Sequence, residues 1–153
     1  MRDTKFLENI LYELWENHFC DVPRQNLVLI KYGKSSRRQL GSIKMANRRT
    51  KIKGLLKEKK DDLNIQDHKS VTVITVTKYF KNEIIPEYVV RAVIAHELCH
   101  YAHGFSSPLE KRFDKPHQGS IVKKELEKRG LLKEQKMADE WIDKNWADLV
   151  LGQ

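Results

Sequence analysis

The chain has few cysteines and no long apolar stretch. Only Cys20 and Cys99 occur among its 153 residues, too few for a disulfide framework, and we expect both to pack as small apolar side chains. No apolar run approaches the roughly 18 residues that a membrane-spanning helix needs, and the N-terminus has no secretory-signal pattern. We therefore expect a cytoplasmic protein without a membrane partner.

Acidic residues are nearly missing from one segment of the chain. Residues 31–60 contain twelve Lys or Arg and one acid, a net charge of +11, whereas the whole chain carries +8. Such a segment can attract polyanions by releasing their counterions, so DNA is a candidate partner of residues 31–60. The arginine pairs that flank a predicted hairpin there are candidate nucleic-acid contacts, and a merely solvated basic hairpin is the alternative. These residues are Arg37, Arg38, Arg48 and Arg49.

The apolar pattern predicts an α+β fold. It has an N-terminal helix, a small and mostly antiparallel sheet, a central helix and C-terminal helices. The predicted helices span residues 4–19, 87–103, 119–129 and 132–149, and the predicted strands span residues 26–33, 40–45, 50–56 and 70–79. We expect residues 1–130 to form the main domain and residues 131–153 to form a helix packed on that domain.

An HExxH motif lies in the predicted central helix. His96 and His100 are four residues apart, so they share one helix face and can reach one zinc ion together. Glu97 is rotated by about 100° from His96, which places it beside the metal, where it can act as the general base on a zinc-bound water. Two surface histidines with an unrelated glutamate are the alternative interpretation.

A catalytic zinc usually takes a third protein ligand and leaves one position open. The sequence offers several candidates: His103, Glu110, His117, Glu125 and Glu127. His103 lies almost one turn beyond the metal, and no spacing argument supports Glu110. We favour His117, which follows the helix by a loop, because imidazole is the commonest metal ligand among side chains. Glu125 on the next helix stays open as the alternative.

Residues 85–101, which contain the motif, resemble the SprT-like metallopeptidase domain, the family of the DNA–protein crosslink protease Spartan. In that family a strand precedes the HExxH helix, and a third histidine follows a loop, where this chain has Pro116, His117 and a glycine two residues later. The glycine comes one position later than in the family's usual turn, and the zinc-ribbon cysteines that follow many SprT domains are missing. The resemblance covers about residues 5–130, although only the motif region is specific.

The resemblance implies a zincin-like metallopeptidase domain over residues 1–130. By it, His96, His100 and His117 bind zinc, Glu97 is the catalytic base, and an extended protein or peptide substrate pairs with the edge of the strand at residues 70–79. The predicted function is therefore a zinc-dependent endopeptidase of SprT type with a possible association with DNA. Two alternatives remain: a small gluzincin with Glu125 as third ligand, and a nucleic-acid-binding module with a non-catalytic zinc.

Overall fold

The computed structural model describes residues 1–46 and 71–152, so the strand predicted at 50–56 lies outside the described residues. The described part is α+β, with four α-helices, a three-stranded sheet and a short 3-10 helix at Lys78–Lys81. The elements in chain order are α1 (Thr4–His18), β1 (Leu27–Tyr32), β2 (Gly41–Met45), β3 (Val71–Val76), α2 (Glu87–Ala102), α3 (Ile121–Lys128) and α4 (Leu132–Leu151).

Helix α1 begins where its sequence supplies a cap. The Asp3 carboxylate accepts a hydrogen bond of 3.0 Å from the backbone N–H of Phe6, which satisfies one of the free donors of the first turn. The apolar residues at three- and four-residue steps form one buried face of this helix. They are Leu7, Ile10, Leu11, Leu14 and Trp15. This face anchors α1 to β1 and α2.

Among the described residues the sheet is mixed, with one parallel and one antiparallel pair, where the sequence predicts a mostly antiparallel sheet. Its order is β1-β3-β2, with β1 parallel to β3 and β2 antiparallel to β3. β3 lies in the centre because its β-branched run is buried on both faces, with Thr72, Val73 and Ile74 at 0% exposure. Thr77 then leads into the 3-10 helix, so the strand predicted to reach residue 79 ends at Val76.

Helix α2 forms the centre of the core. Pro86 precedes its first turn, and the side chains of Val89, Val90, Ile94 and Leu98 are 0–1% exposed. It packs against α1, the sheet, α3 and α4. Because these elements pack around α2, the helix is held in place. The HExxH motif occupies its last two turns, so its side chains start from a fixed backbone.

Helix α4 crosses α2 and reaches the sheet. Near its start, Glu134 accepts a 2.6 Å hydrogen bond from Nε of Arg91, and Arg91 also pairs with Glu13 of α1. Near its end, the Trp146 indole N–H donates to the Arg37 carbonyl at 2.7 Å. The C-terminal helix therefore packs on the same core as the other elements, and a domain division at residue 130 stays a prediction. Within the described residues, the structure has no helix both long and apolar enough to cross a bilayer.

Candidate metal centre and cleft

Three histidine rings converge at the end of α2. The Nε2 atoms of His96, His100 and His117 lie 3.1 Å apart in all three pairs. His96 and His100 come from successive turns of α2, and His117 comes from the loop that precedes α3. These three residues form a group that is close enough to hold one metal ion.

The geometry of this triad suits a metal better than hydrogen bonds. A neutral imidazole Nε2 carries either a proton or a lone pair, so three adjacent Nε2 atoms contain at least one pair that cannot hydrogen bond. Three atoms at 3.1 Å separations lie on a circle of about 1.8 Å radius, so one ion can approach each at about 2.0–2.1 Å. The donor set of three imidazole nitrogens is one that zinc accepts.

Two of the rings are held in the neutral form that a metal requires. Burial, followed by the neighbouring His117, lowers the pKa of His96 to about 4. Burial also lowers the pKa of His100 to about 3, and the adjacent imidazoles add to this effect. Both nitrogens therefore offer lone pairs at neutral pH, and proton competition for the metal is weak.

Glu97 lies beside the triad under strand β2. Its side chain lines the same cleft as the three histidines, and the residue is 5% exposed. Burial raises the pKa of Glu97 to about 7 when no metal is bound. A carboxyl group in this position can take a proton from a water molecule in the cleft and return it, because its proton affinity is matched to neutral pH.

Gly41 allows β2 to approach α2 at this point. A Cβ atom on Gly41 would lie 2.5 Å from Val93 Cγ1 and 3.2 Å from Glu97 Oε1. No larger residue fits unless the strand, the helix or these side chains move. Sequence analysis did not name Gly41 as a site residue, because the close approach depends on tertiary packing.

The loop that carries His117 is attached to both α2 and the sheet. Gly104 ends α2 with φ +86°, a conformation that favours glycine, and a side chain there would overlap the backbone of Glu110. Ser107 Oγ donates to the Tyr101 carbonyl at 2.9 Å, and the Ser106 carbonyl accepts from Thr72 Oγ1 at 2.7 Å. These contacts set the path of the loop back to the triad.

The other candidate ligands do not join the triad. His103 Nε2 lies 2.8 Å from Glu125 Oε1, and Glu125 Oε2 accepts from Arg129 Nε at 3.1 Å. Glu125 is thus engaged in a buried ionic cluster, and Glu110 and Glu127 are exposed. The cluster extends to the end of α1, because Arg129 Nη1 donates to the His18 carbonyl at 2.7 Å and to an Asp21 carboxylate oxygen at 2.6 Å.

The two cysteines differ in environment. Cys99 is buried, as expected, and burial raises the pKa of its thiol. Cys20 is exposed, so the expectation that it packs as a small apolar side chain was wrong. It lies two residues after the end of α1 and so does not belong to the buried apolar face of that helix.

The triad opens into a cleft of about 610 Å³ between β2, α2 and α4. Residues 38–43 line one side of it, and Gln135, Asp139 and Ile142 line another. The prediction that the strand at 70–79 offers its edge to the cleft was wrong, because β3 is paired on both sides and β2 takes the position beside the metal ligands. Sequence analysis did not place α4 at the site, since no motif spacing connects α4 to the histidines.

The basic residues divide between described and undescribed parts of the chain. Arg37 and Arg38 are exposed, and Arg38 lines the cleft. Arg37 Nε donates to the Tyr79 hydroxyl at 3.4 Å, so one side of its guanidinium is engaged. Arg48 and Arg49 lie outside the described residues, and so do five more of the twelve basic residues of this segment. The structure therefore brings one of the four candidate arginines, Arg38, to the rim of the candidate site.

Comparisons with known proteins do not assign this chain to a family. No protein-family model matches it, and no curated protein or solved structure is significantly similar to it.

Proposed function

We propose that this protein is a zinc-dependent endopeptidase. The observation that carries the proposal is the joint placement, in one open cleft, of three convergent imidazoles and a buried glutamate. The HExxH helix preceded by a strand and followed by a loop to a third histidine supports a SprT-like, zincin-like assignment. The pairing of Glu125 with His103 and Arg129 argues against the gluzincin alternative. A cytoplasmic location stays a prediction from the sequence.

Zinc fits the donor set, because His96, His100 and His117 supply three imidazole nitrogens and leave space on the cleft side. When bound, zinc lowers the pKa of a coordinated water toward neutrality and polarises a carbonyl. The protein's own contribution is to hold the three rings in one arrangement.

Glu97 is the group that moves protons in this proposal. Its carboxylate accepts a proton from the attacking water and delivers it to the leaving amine. Its buried position beside Gly41 restricts it to one side of the cleft. The role requires the ionised form, which a nearby dication favours over the neutral form.

Strand β2 provides a surface for an extended substrate. Its Leu40 carbonyl accepts from Thr77 N–H at 2.9 Å, and Ala46 N–H donates to the Val71 carbonyl at 2.7 Å, so these positions face β3. Antiparallel pairing alternates, so the backbone groups of Gly41 and Ile43 point away from β3. Both residues line the cleft, and the Ile43 carbonyl already accepts from Ser106 Oγ at 3.3 Å. At this edge of the described sheet, a peptide can pair with the backbone of Gly41.

The test compares the wild type with Glu97→Gln, and with Glu127→Gln as a matched control because Glu127 is exposed. We expect all three proteins to bind about one zinc per chain. Wild type and Glu127→Gln should cleave an unfolded protein substrate, and Glu97→Gln should be slower by about 10²–10⁴-fold. Equal cleavage by Glu97→Gln, or loss of its zinc, contradicts the role assigned to this residue.

We propose, second, that the basic segment binds DNA by its phosphates. The exposure of Arg37 and the position of Arg38 on the cleft wall support this proposal. DNA affinity should fall steeply between about 50 and 200 mM salt, and Arg37→Gln/Arg38→Gln should reduce the log–log slope by about 2. The matched control is Lys133→Gln/Lys144→Gln, which removes two exposed charges from α4. If both double variants reduce the salt dependence of DNA affinity equally, Arg37 and Arg38 do not form a specific DNA-binding face. If the wild-type protein binds DNA but cleaves no protein substrate, a non-catalytic module is favoured.

A further inference from the structure

A second cavity opens from the metal ligands on the side of α3 and α4. Its volume is about 460 Å³, and it shares His96, His117, Gln135 and Asp139 with the cleft. It lacks Glu97 and His100 among its lining residues, and residues 38–43 do not reach it. Both cavities therefore border His96 and His117, and a molecule bound at the triad lies next to both.

The walls of this second cavity are mostly apolar. Val122 and Leu126 of α3 and Leu132 of α4 contribute to its lining, and the first two are at most 9% exposed. Their burial against the core holds these walls in place without a bound ligand. Lys123 and Lys136 are exposed and stand at its margin. A cavity of this size with apolar walls and a few polar groups is typical of small-ligand and side-chain sites.

We propose that the second cavity binds an apolar side chain of the substrate, on the residue next to the cleaved bond. The inference rests on the proposed peptidase function. A peptide whose carbonyl lies at the triad and whose backbone runs along β2 directs alternate side chains to opposite faces. Side chains of the residues that flank the cleaved bond can therefore reach the second cavity, which His96 and His117 also line. The apolar walls formed by Val122, Leu126 and Leu132 favour a side chain such as Leu or Phe.

The test uses binding and does not depend on cleavage. Two succinyl hydroxamates chelate zinc in the same way, and one of them carries an additional isobutyl side chain. Titration calorimetry measures both ligands on the zinc-loaded full-length chain. Full burial of the isobutyl group increases affinity on the order of 100-fold, and half burial increases it about tenfold, so we expect a gain of tenfold or more.

Two variants assign this gain to the second cavity. Leu132→Gln places a polar group of similar size in the wall, and Leu149→Gln makes the same change on α4 at a partly buried position that does not line either space. The gain should fall at least threefold in Leu132→Gln and persist in Leu149→Gln. A gain unchanged in Leu132→Gln overturns the assignment to this cavity.

The outcomes separate this inference from the proposed function. Equal affinity of the wild type for both hydroxamates overturns the inference and leaves the metal centre standing. A wild-type chain that binds neither zinc nor the unsubstituted hydroxamate overturns the proposed function and the inference with it. The wild-type comparison of the two ligands remains decisive if a variant does not fold.

Discussion

The contact between Gly41 and α2 makes a sharp prediction about the substitution Gly41→Ala. The added methyl group would lie 2.5 Å from Val93 Cγ1, about 1 Å inside the usual carbon–carbon separation. The strand, the helix or the Val93 side chain must therefore move by about that amount. Overpacking of this kind costs about 1–3 kcal/mol of the free energy of unfolding.

The same substitution should impair catalysis more than metal binding. The new methyl group would also lie 3.2 Å from Glu97 Oε1, whereas no histidine of the triad is among its near neighbours. A displacement of about 1 Å at a catalytic group can cost on the order of 100-fold in rate. We expect kcat/KM of Gly41→Ala to fall by about 10- to 100-fold and zinc affinity to change by less than about threefold.

The double variant Gly41→Ala/Val93→Ala tests the cause. Val93→Ala removes the methyl group that the new side chain meets, so the double variant should recover stability and activity relative to the sum of the single changes. Urea denaturation should give a coupling energy of about 1 kcal/mol or more between the two positions. Additive effects, or a Gly41→Ala protein as stable and active as the wild type, would refute the close approach of β2 to α2.

Three further predictions concern the histidines and the buried cluster. His117→Ala should weaken zinc binding by more than the 10- to 100-fold typical of an outer-shell change, as measured by competition with a chelator. Glu125→Gln should reduce the free energy of unfolding by about 3 kcal/mol, because it leaves Arg129 incompletely paired. Its zinc affinity should change far less than that of His117→Ala. A comparable loss of zinc affinity in both variants would contradict the separate roles of the two residues. In metal-free folded protein, the pKa of His96 is about 4 and that of His100 is about 3, whereas both histidines have a pKa of about 6.5 in the unfolded chain. Between these pH values the unfolded chain binds more protons than the folded protein, so the free energy of unfolding should fall as the pH drops from about 6.5 to 3. The fall in thermal midpoint should be smaller in His96→Gln, and an equal fall would show that other groups cause it.

Local features of the fold follow from the sequence because they depend on neighbours along the chain. The cap at Asp3, the apolar stripe of α1 and the β-branched run of β3 each act within one element. Both elements form within the predicted ranges, and β3 ends three residues earlier than predicted. The strand pairing does not follow from local pattern. Whether β1 joins β3 in parallel depends on which surfaces the helices cover, and that is settled only when the whole core packs.

The candidate site divides in the same way. The sequence by itself determined that His96, Glu97 and His100 share the end of one helix, since a helical repeat of 3.6 residues places the two histidines on one face and the glutamate beside them. Only the tertiary structure decided what surrounds them. It brings His117 to the two rings and engages Glu125 elsewhere, places β2 and not β3 along the cleft, and adds α4 as a wall. Burial of apolar surface brings residues far apart in sequence into contact, and the spacing of residues along the chain does not predict those contacts.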